Sequence, residues 1–229
     1  TEIGFTDHFS ILPSEWTMKE DKSHEMKNKV LSLKNTNSLP VSVKLGAEID
    51  YIPGKEEKIK EIISNFPFDY IIGSVHFLDN WNFDTAAEDF EGKDIDTLYE
   101  QYFEILEQAI QSELYDIIGH LDLIKKFGYF PTKQPTKTHK KLIKALQKHN
   151  STIELNTNGL NKPCGEMYPS KDLLELCYRN NIPVTLSSDA HNADEIGQYF
   201  NKAIELLKSI GYRKIALFDQ RKRRFENLI

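Results

Sequence analysis

Residues 43–76 read VKLGAEIDYIPGKEEKIKEIISNFPFDYIIGSVH: a β-rich run at 43–49, helical spacing at 55–65 and a second β-rich run at 70–74. Strand, helix, strand is the pattern of a parallel sheet with crossover helices. Glu48 stands at the end of the first run, with Asp50 beyond it, and His76 follows the second. The same alternation continues outward in both directions. Further strands are expected at 3–6, 115–118, 152–156, 183–187 and 214–218, and helices at 22–34, 96–111, 136–148, 170–180 and 193–209. In the helix at 96–111, Leu98, Tyr102, Ile105 and Ala109 recur at three or four residues and form an apolar stripe. Ser170 is placed as an N-cap, Cys177 falls in the core-facing stripe behind it, and Gly211 follows the last long helix.

The whole chain is expected to form one such domain, residues 1–229. With 39% hydrophobic and 28% charged residues it can bury a sizeable core under a wet surface, and (β/α) barrels use this much chain as a single domain. No stretch approaches the roughly 20 apolar residues of a spanning helix, and residues 1–5 do not resemble a signal peptide. A soluble, cytoplasmic protein with no membrane partner is the expectation. Two cysteines, Cys164 and Cys177, are too few for a disulfide scaffold or a zinc ribbon. A net charge of -6 argues against a broad nucleic-acid-binding face. Two long connections, 77–95 and 157–169, follow strands and are candidate functional loops.

Metal-type residues gather where the strands end. After the first come Asp7 and His8, at the second Glu48, after the third His76, after the fourth His120 with Asp122 beyond, at the fifth Asn156, and after the sixth Asp189 and His191. In a parallel barrel these positions converge on the C-terminal face, where such folds place their chemistry. His24, His139 and His149 lie in lysine-rich helical segments and read as solvated. Imidazoles and carboxylates without cysteine suit zinc, iron or manganese. Several ions could share Glu48 or Asp189, acidify water and clamp a phosphoryl oxygen, so hydrolysis of a small-molecule phosphate ester is the natural chemistry.

Thr6-Asp7-His8, Gly46-Ala47-Glu48, Gly73-Ser74-Val75-His76, Ile118-Gly119-His120-Leu121-Asp122 and Ser187-Ser188-Asp189-Ala190-His191 resemble, in order, the motifs of the PHP (polymerase and histidinol phosphatase) metallophosphoesterases. The segment from Glu154-Leu155-Asn156 to Gly159-Leu160, continuing through Glu166-Met167-Tyr168-Pro169-Ser170, is similar to the histidinol-phosphate phosphatase type. The resemblance implies an α/β fold, a distorted (β/α)7 TIM-like barrel, with a centre of three divalent metals (Zn, Mn or Fe). It implies attack of a metal-bridging hydroxide on L-histidinol phosphate, giving L-histidinol and phosphate in histidine biosynthesis. Carried onto this chain, the ligands are His8, Glu48, His76, His120, Asp189 and His191, with Glu48 bridging and Asp189 or His8 delivering a proton to the leaving alkoxide.

Candidate substrate contacts are Asn156, Lys162, Glu166, Tyr168 and Arg223. Many members carry Arg after the Gly-Leu pair, where this chain has Asn161-Lys162; Arg forks to phosphate, whereas Lys offers a point charge. Arg223 belongs to a basic run, 221–224, after the last strand. Trp81 and Phe77 suit either a wall for an imidazole or packing of their own loop. The family opens with a His-x-His motif, and residues 1–7 resemble its second strand, so the first β/α unit is expected to be missing from this sequence. Two other readings stay open: a PHP phosphoesterase acting on a nucleotide or sugar phosphate, and a non-catalytic barrel that lost its first metal motif.

Overall fold

In a computed structural model of the protein, the strand Ser42–Asp50 alternates strictly. Val43, Leu45, Ala47 and Ile49 are buried together with Val30, Ile59 and Ala109 from three helices. The intervening side chains face the inside of the sheet's curl, where Lys44 pairs with Asp219 and Glu48 with His120. Both faces of the strand are therefore buried, one apolar beneath helices and one polar around a site. The structure describes residues 2–36, 39–133 and 135–228; Thr1, where the sequence opens on the segment compared with the family's second strand, lies outside them.

In chain order the elements are Glu2–Phe9 (β1), Glu20–Lys34 (α1), Ser42–Asp50 (β2), Glu56–Ser64 (α2), Tyr70–Ser74 (β3), Phe77–Leu78 (β4) and Trp81–Asn82 (β5). Then follow Ile95–Gln111 (α3), Ile117–Ile118 (β6), Thr136–Lys148 (α4), Thr152–Asn156 (β7), Lys171–Arg179 (α5), Val184–Ser187 (β8), Phe200–Ile210 (α6), Lys214–Asp219 (β9) and Lys222–Asn227 (β10). Strands β1, β2, β3, β6, β7 and β8 form one parallel sheet in sequence order. The result is an α/β fold with a curled, half-barrel sheet. Among the described residues no helix is long and apolar enough to cross a membrane.

Four expected elements differ. The strand expected at 3–6 runs on to Phe9 as β1, so Asp7 and His8 lie within the strand and not after it. The strand expected at 214–218 forms as β9, but it pairs antiparallel with β10 instead of joining the parallel sheet. Gln220 and Arg221, both at positive φ, reverse the chain, and Ala216 and Phe218 pack on Ile72 and Ile117. The strand expected at 115–118 shrinks to Ile117–Ile118, because the Asp116 carboxylate takes the Ile71 N–H at 2.8 Å. The helix expected at 193–209 breaks into a 3-10 turn, Ala193–Glu195, and α6. Gly197 and Tyr199 at φ 71° and 59° stop one and start the other, while Thr157 Oγ1 holds the Gln198 carbonyl at 2.8 Å.

The larger core lies under α3, α4 and α5 and includes the fully buried Tyr102, Leu106, Leu146, Leu155 and Cys177. Burial pushes the Cys177 thiol up, which keeps it an inert packing group. Trp81 meets Phe83 and Phe90 edge-on, with Lys93 over its ring at 4.5 Å, and Phe77 is buried, so these aromatics pack their own loop. Inside the curl, Tyr70 lies across the strands, and a Cβ at Gly46 would stand 2.5 Å from its ring. Gly46→Ala is expected to cost about 1–3 kcal/mol through this overpacking, read as a lower denaturant midpoint.

Candidate metal centre

The parallel register builds the centre. His8 is the direct partner of Glu48 across β1 and β2, and Asp50 is the partner of Ser74 across β2 and β3. The chain after β1 folds back, with Met18 N donating to His8 O at 2.9 Å, and sets Trp16 edge-on to His76 at 5.9 Å. Glu154 on β7 accepts the His120 backbone N–H at 2.8 Å and fixes the turn that carries that imidazole.

Four predicted ligands converge. His8 Nε2 is 3.7 Å from Glu48 Oε2, His76 Nε2 is 3.7 Å from Glu48 Oε1, and His120 Nε2 is 3.0 Å from the same oxygen. Ser74 Oγ donates to Glu48 Oε1 at 2.6 Å, and His76 Nδ1 donates to Asp50 Oδ1 at 2.5 Å. His191 continues the arc, its ring 6.1 Å from that of His8. Its Nδ1 is 3.8 Å from Asp189 Oδ1, and Asn156 and Asn158 donate to Asp189 Oδ2 at 3.2 and 3.4 Å. Asp189 itself is at φ 46°, a left-handed conformation that costs a non-glycine residue about 1 kcal/mol or more and is typical of functional turns.

Electrostatics keep this cluster polar despite its burial. Burial opposes ionisation of Glu48, but His8, the hydrogen bond from His120 and the His76 charge outweigh it and hold the carboxyl well below its ordinary range. Burial likewise works against a charged His76, yet Asp50 and then Glu48 push it up to about 10. His120 is raised too, burial being overcome by its hydrogen bond to Glu48 and by that carboxylate's charge. In the metal-free protein a proton on His76 thus competes with metal ligation by that imidazole.

The donor set fits a divalent ion. Ligand atoms of His8, Glu48 and His76 all lie within 4.8 Å of one another. The two 3.7 Å nitrogen–oxygen gaps are too long for hydrogen bonds. They approach the roughly 3.4 Å between two ligands bonded at about 2.1 Å to one tetrahedral ion. His120 turns Nε2 to Glu48, and its Nδ1 is buried with no hydrogen-bond partner among the described residues, an orphan that a bound water would explain.

The candidate substrate residues divide. Asn156 is in the centre, and Tyr168 adjoins it: Tyr168 and Asn156 exchange backbone hydrogen bonds of 2.7 and 3.0 Å, and the Tyr168 ring meets His120 edge-on at 6.3 Å. Glu166 is next in that loop, bound to Lys125 at 2.8 Å. Lys162 is half-buried on the same loop, its side chain without a partner among the described residues. Arg223 is a correction. It donates to Asn150 O at 2.7 Å and Thr152 Oγ1 at 3.1 Å, at the start of β7, the end of the sheet opposite the centre. Its neighbours in the basic run bind there too: Arg221 pairs with Asp116 before β6, and Arg224 with Glu2 at the start of β1. The β9–β10 turn carries the run to that end. Arg223→Ala is expected to lower stability by about 1 kcal/mol through these lost hydrogen bonds and to leave phosphate-release kinetics unaltered.

His139 also departs from expectation: it is half-buried edge-on to Phe103 at 5.1 Å, and burial lowers its pKa. It and His149, which pairs with Glu113 at 2.7 Å, both lie outside the centre, as does the exposed His24. Sequence reasoning assigned no role to Asp50, Ser74, Trp16, Glu154 or Asn158. For Asp50 and Ser74 a signal existed, since each stands two residues along a strand or its extension from a ligand and so shares its face.

With this fold and centre in view, comparison with known proteins gives the family. The PHP domain matches residues 1–158 and the PHP-associated segment matches residues 174–209; the chain belongs to the PHP family. Within it, a Deinococcus radiodurans protein named probable histidinol-phosphatase is 34% identical over 225 residues, covering 96% of this chain and 85% of the relative. A Schizosaccharomyces pombe protein of the same name is 27% identical over 210 residues, covering 86% and 69%. The fold matches the crystal structure of Lactococcus lactis histidinol phosphate phosphatase complexed with zinc, L-histidinol and phosphate, with a TM-score of 0.80, 23% identity and coverage of 97% and 87%.

Proposed function

We propose that this protein is a metal-dependent phosphomonoesterase that hydrolyses L-histidinol phosphate to L-histidinol and phosphate, the reaction of histidine biosynthesis. The observation that carries this reading is the convergence of His8, His76 and His120 on the two oxygens of Glu48. It is supported by relatives named histidinol-phosphatases and by the fold shared with the zinc-, histidinol- and phosphate-bound Lactococcus enzyme. Divalent ions, when bound, acidify water to a nucleophile near neutral pH and draw charge from the phosphoryl oxygens. We assign their ligation to His8, Glu48, His76, His120, Asp189 and His191. Zinc, manganese and iron suit this nitrogen-and-oxygen donor set, and three ions are the family's expected complement.

Glu48, with imidazoles at both of its oxygens, would hold the ions through its carboxylate. Asp189, one oxygen taken by Asn156 and Asn158, turns the other toward His191, and it or His8 returns a proton to the leaving alkoxide. Of Asp189→Asn and His8→Gln, the one that removes the alkaline limb of the kcat–pH profile marks the donor. Lys162 serves the phosphate as a point charge, and Asn156, Glu166 and Tyr168 serve the remainder of the substrate.

The decisive experiment measures phosphate release by metal-stripped protein resupplied with zinc or manganese. Its substrates are L-histidinol phosphate, nucleoside monophosphates and sugar phosphates. Activity is expected to vanish on chelation, return with metal and be greatest in kcat/KM on L-histidinol phosphate. Equal or greater turnover of the other esters would sink the specificity, and no metal-dependent release at all would sink the enzyme.

A further inference from the structure

A buried ammonium costs several kcal/mol unless oxygens surround it. Lys125 is 2% exposed, in the 3-10 turn Leu123–Lys125 that follows His120. Its Nζ donates to Glu166 Oε2 at 2.8 Å and Met167 O at 2.9 Å, lies 3.1 Å from Asp122 Oδ2 and stands 5.5 Å from the centre of the Tyr168 ring. Asp122 Oδ2 accepts in turn from Ser170 N at 2.8 Å, and Lys126 O accepts from Cys164 N at 3.1 Å. These bonds tie the turn after β6 to residues 164–170. The tie ends at the metal centre, through the edge-on contact of Tyr168 with His120 and its backbone bonds to Asn156.

The charges of this tie do not cancel. Two carboxylates, Asp122 and Glu166, face one ammonium. Burial works against the Lys125 charge, but Asp122 and Glu166 outweigh it, so the cation persists. Asp122 is buried, whereas the Glu166 side chain is 49% exposed, with Oε1 unpartnered among the described residues. The surplus negative charge therefore opens to solvent on the loop that adjoins the centre. Unlike a simple aryl ester, L-histidinol phosphate carries an ammonium as well as its phosphate.

We propose that Lys125 is a positioning residue: it fixes the 164–170 loop so that the free oxygen of Glu166 receives the amino group of an amine-bearing phosphate monoester. The inference rests on the phosphatase reading above and adds to it the group that reads the amine end. Lys125 touches neither substrate nor metal ligand in this role.

The test compares kcat/KM for L-histidinol phosphate with that for 4-nitrophenyl phosphate, which has no amine. Lys125→Met is expected to lower this preference by about tenfold, mostly through KM, the scale of one lost charged contact. It is also expected to speed amide exchange at 164–168 but not in α3. Glu166→Gln, at a half-exposed position that tolerates change, should lower the preference equally with exchange unaltered, and the double variant should be no worse than the worse single. Equal loss on both esters in Lys125→Met, or an unchanged preference in Glu166→Gln, overturns the proposal; the second variant decides if the first does not fold. A wild-type protein inactive on L-histidinol phosphate would sink the phosphatase reading and the role of Glu166 with it, while exchange would still report the tie separately.

Discussion

Glu48→Gln is expected to lower kcat/KM for L-histidinol phosphate by about a thousandfold or more, roughly 4 kcal/mol of transition-state stabilisation, and to abolish stoichiometric metal binding. Gln keeps the volume of Glu but offers one acceptor oxygen and no charge, while three imidazoles depend on both oxygens of this carboxylate. The same substitution has a pH signature in the metal-free protein. Glu48 is depressed below its ordinary 4.5, so it contributes stability above about that pH, lost as pH falls through its folded value. His76 and His120 are raised above their ordinary 6.5, so their contribution is full below about that pH and lost as pH rises through their folded values. The contributions overlap most between about pH 4.5 and 6.5, where Glu48→Gln should destabilise metal-free protein most, the penalty shrinking toward alkaline pH. Denaturant midpoints across pH measure it. Undiminished metal content in the variant would remove Glu48 from the centre.

The alternation of strands and helices, and the bounds of the central strands, were readable because apolar alternation is a local signal. The 43–49 run became Ser42–Asp50 and the 70–74 run Tyr70–Ser74. Glu48 and Asp50 point inward to the imidazoles and Lys44 to Asp219, and period-2 alternation alone does not say which face meets solvent. Arg223 was misplaced for a topological reason: position after a strand implies the C-terminal face only while strands remain parallel, and β9 enters a hairpin whose turn lies at the other end. Trp16 and Lys125 carry no local signal. One reaches His76 from a loop 60 positions away, and the other reads as half of an ordinary Lys-Lys pair until the fold brings Glu166 to it.

Asp50→Asn is expected to weaken metal binding by about 10–100-fold, the usual effect of losing the partner that orients a ligating imidazole. Asp50 accepts the His76 Nδ1 proton at 2.5 Å, which leaves Nε2 as the nitrogen turned toward Glu48. Carboxylate, imidazole and ligand site thus lie in series, and Asp50 both fixes the tautomer and makes the ring a stronger donor. Asn keeps the size but can present its amide NH2 to the ring as readily as its oxygen, so ring and tautomer lose their fixed choice. Because the ligands themselves remain, activity should return at high metal, with kcat near wild type and the metal concentration for half-activation shifted upward. Glu48→Gln should show no such rescue, since its deficit is a missing ligand. A titration of activity against zinc in the two variants separates these cases. If Asp50→Asn instead lost kcat irrecoverably while holding metal at wild-type affinity, Asp50 would belong to the chemistry and His76 would need another orienting partner.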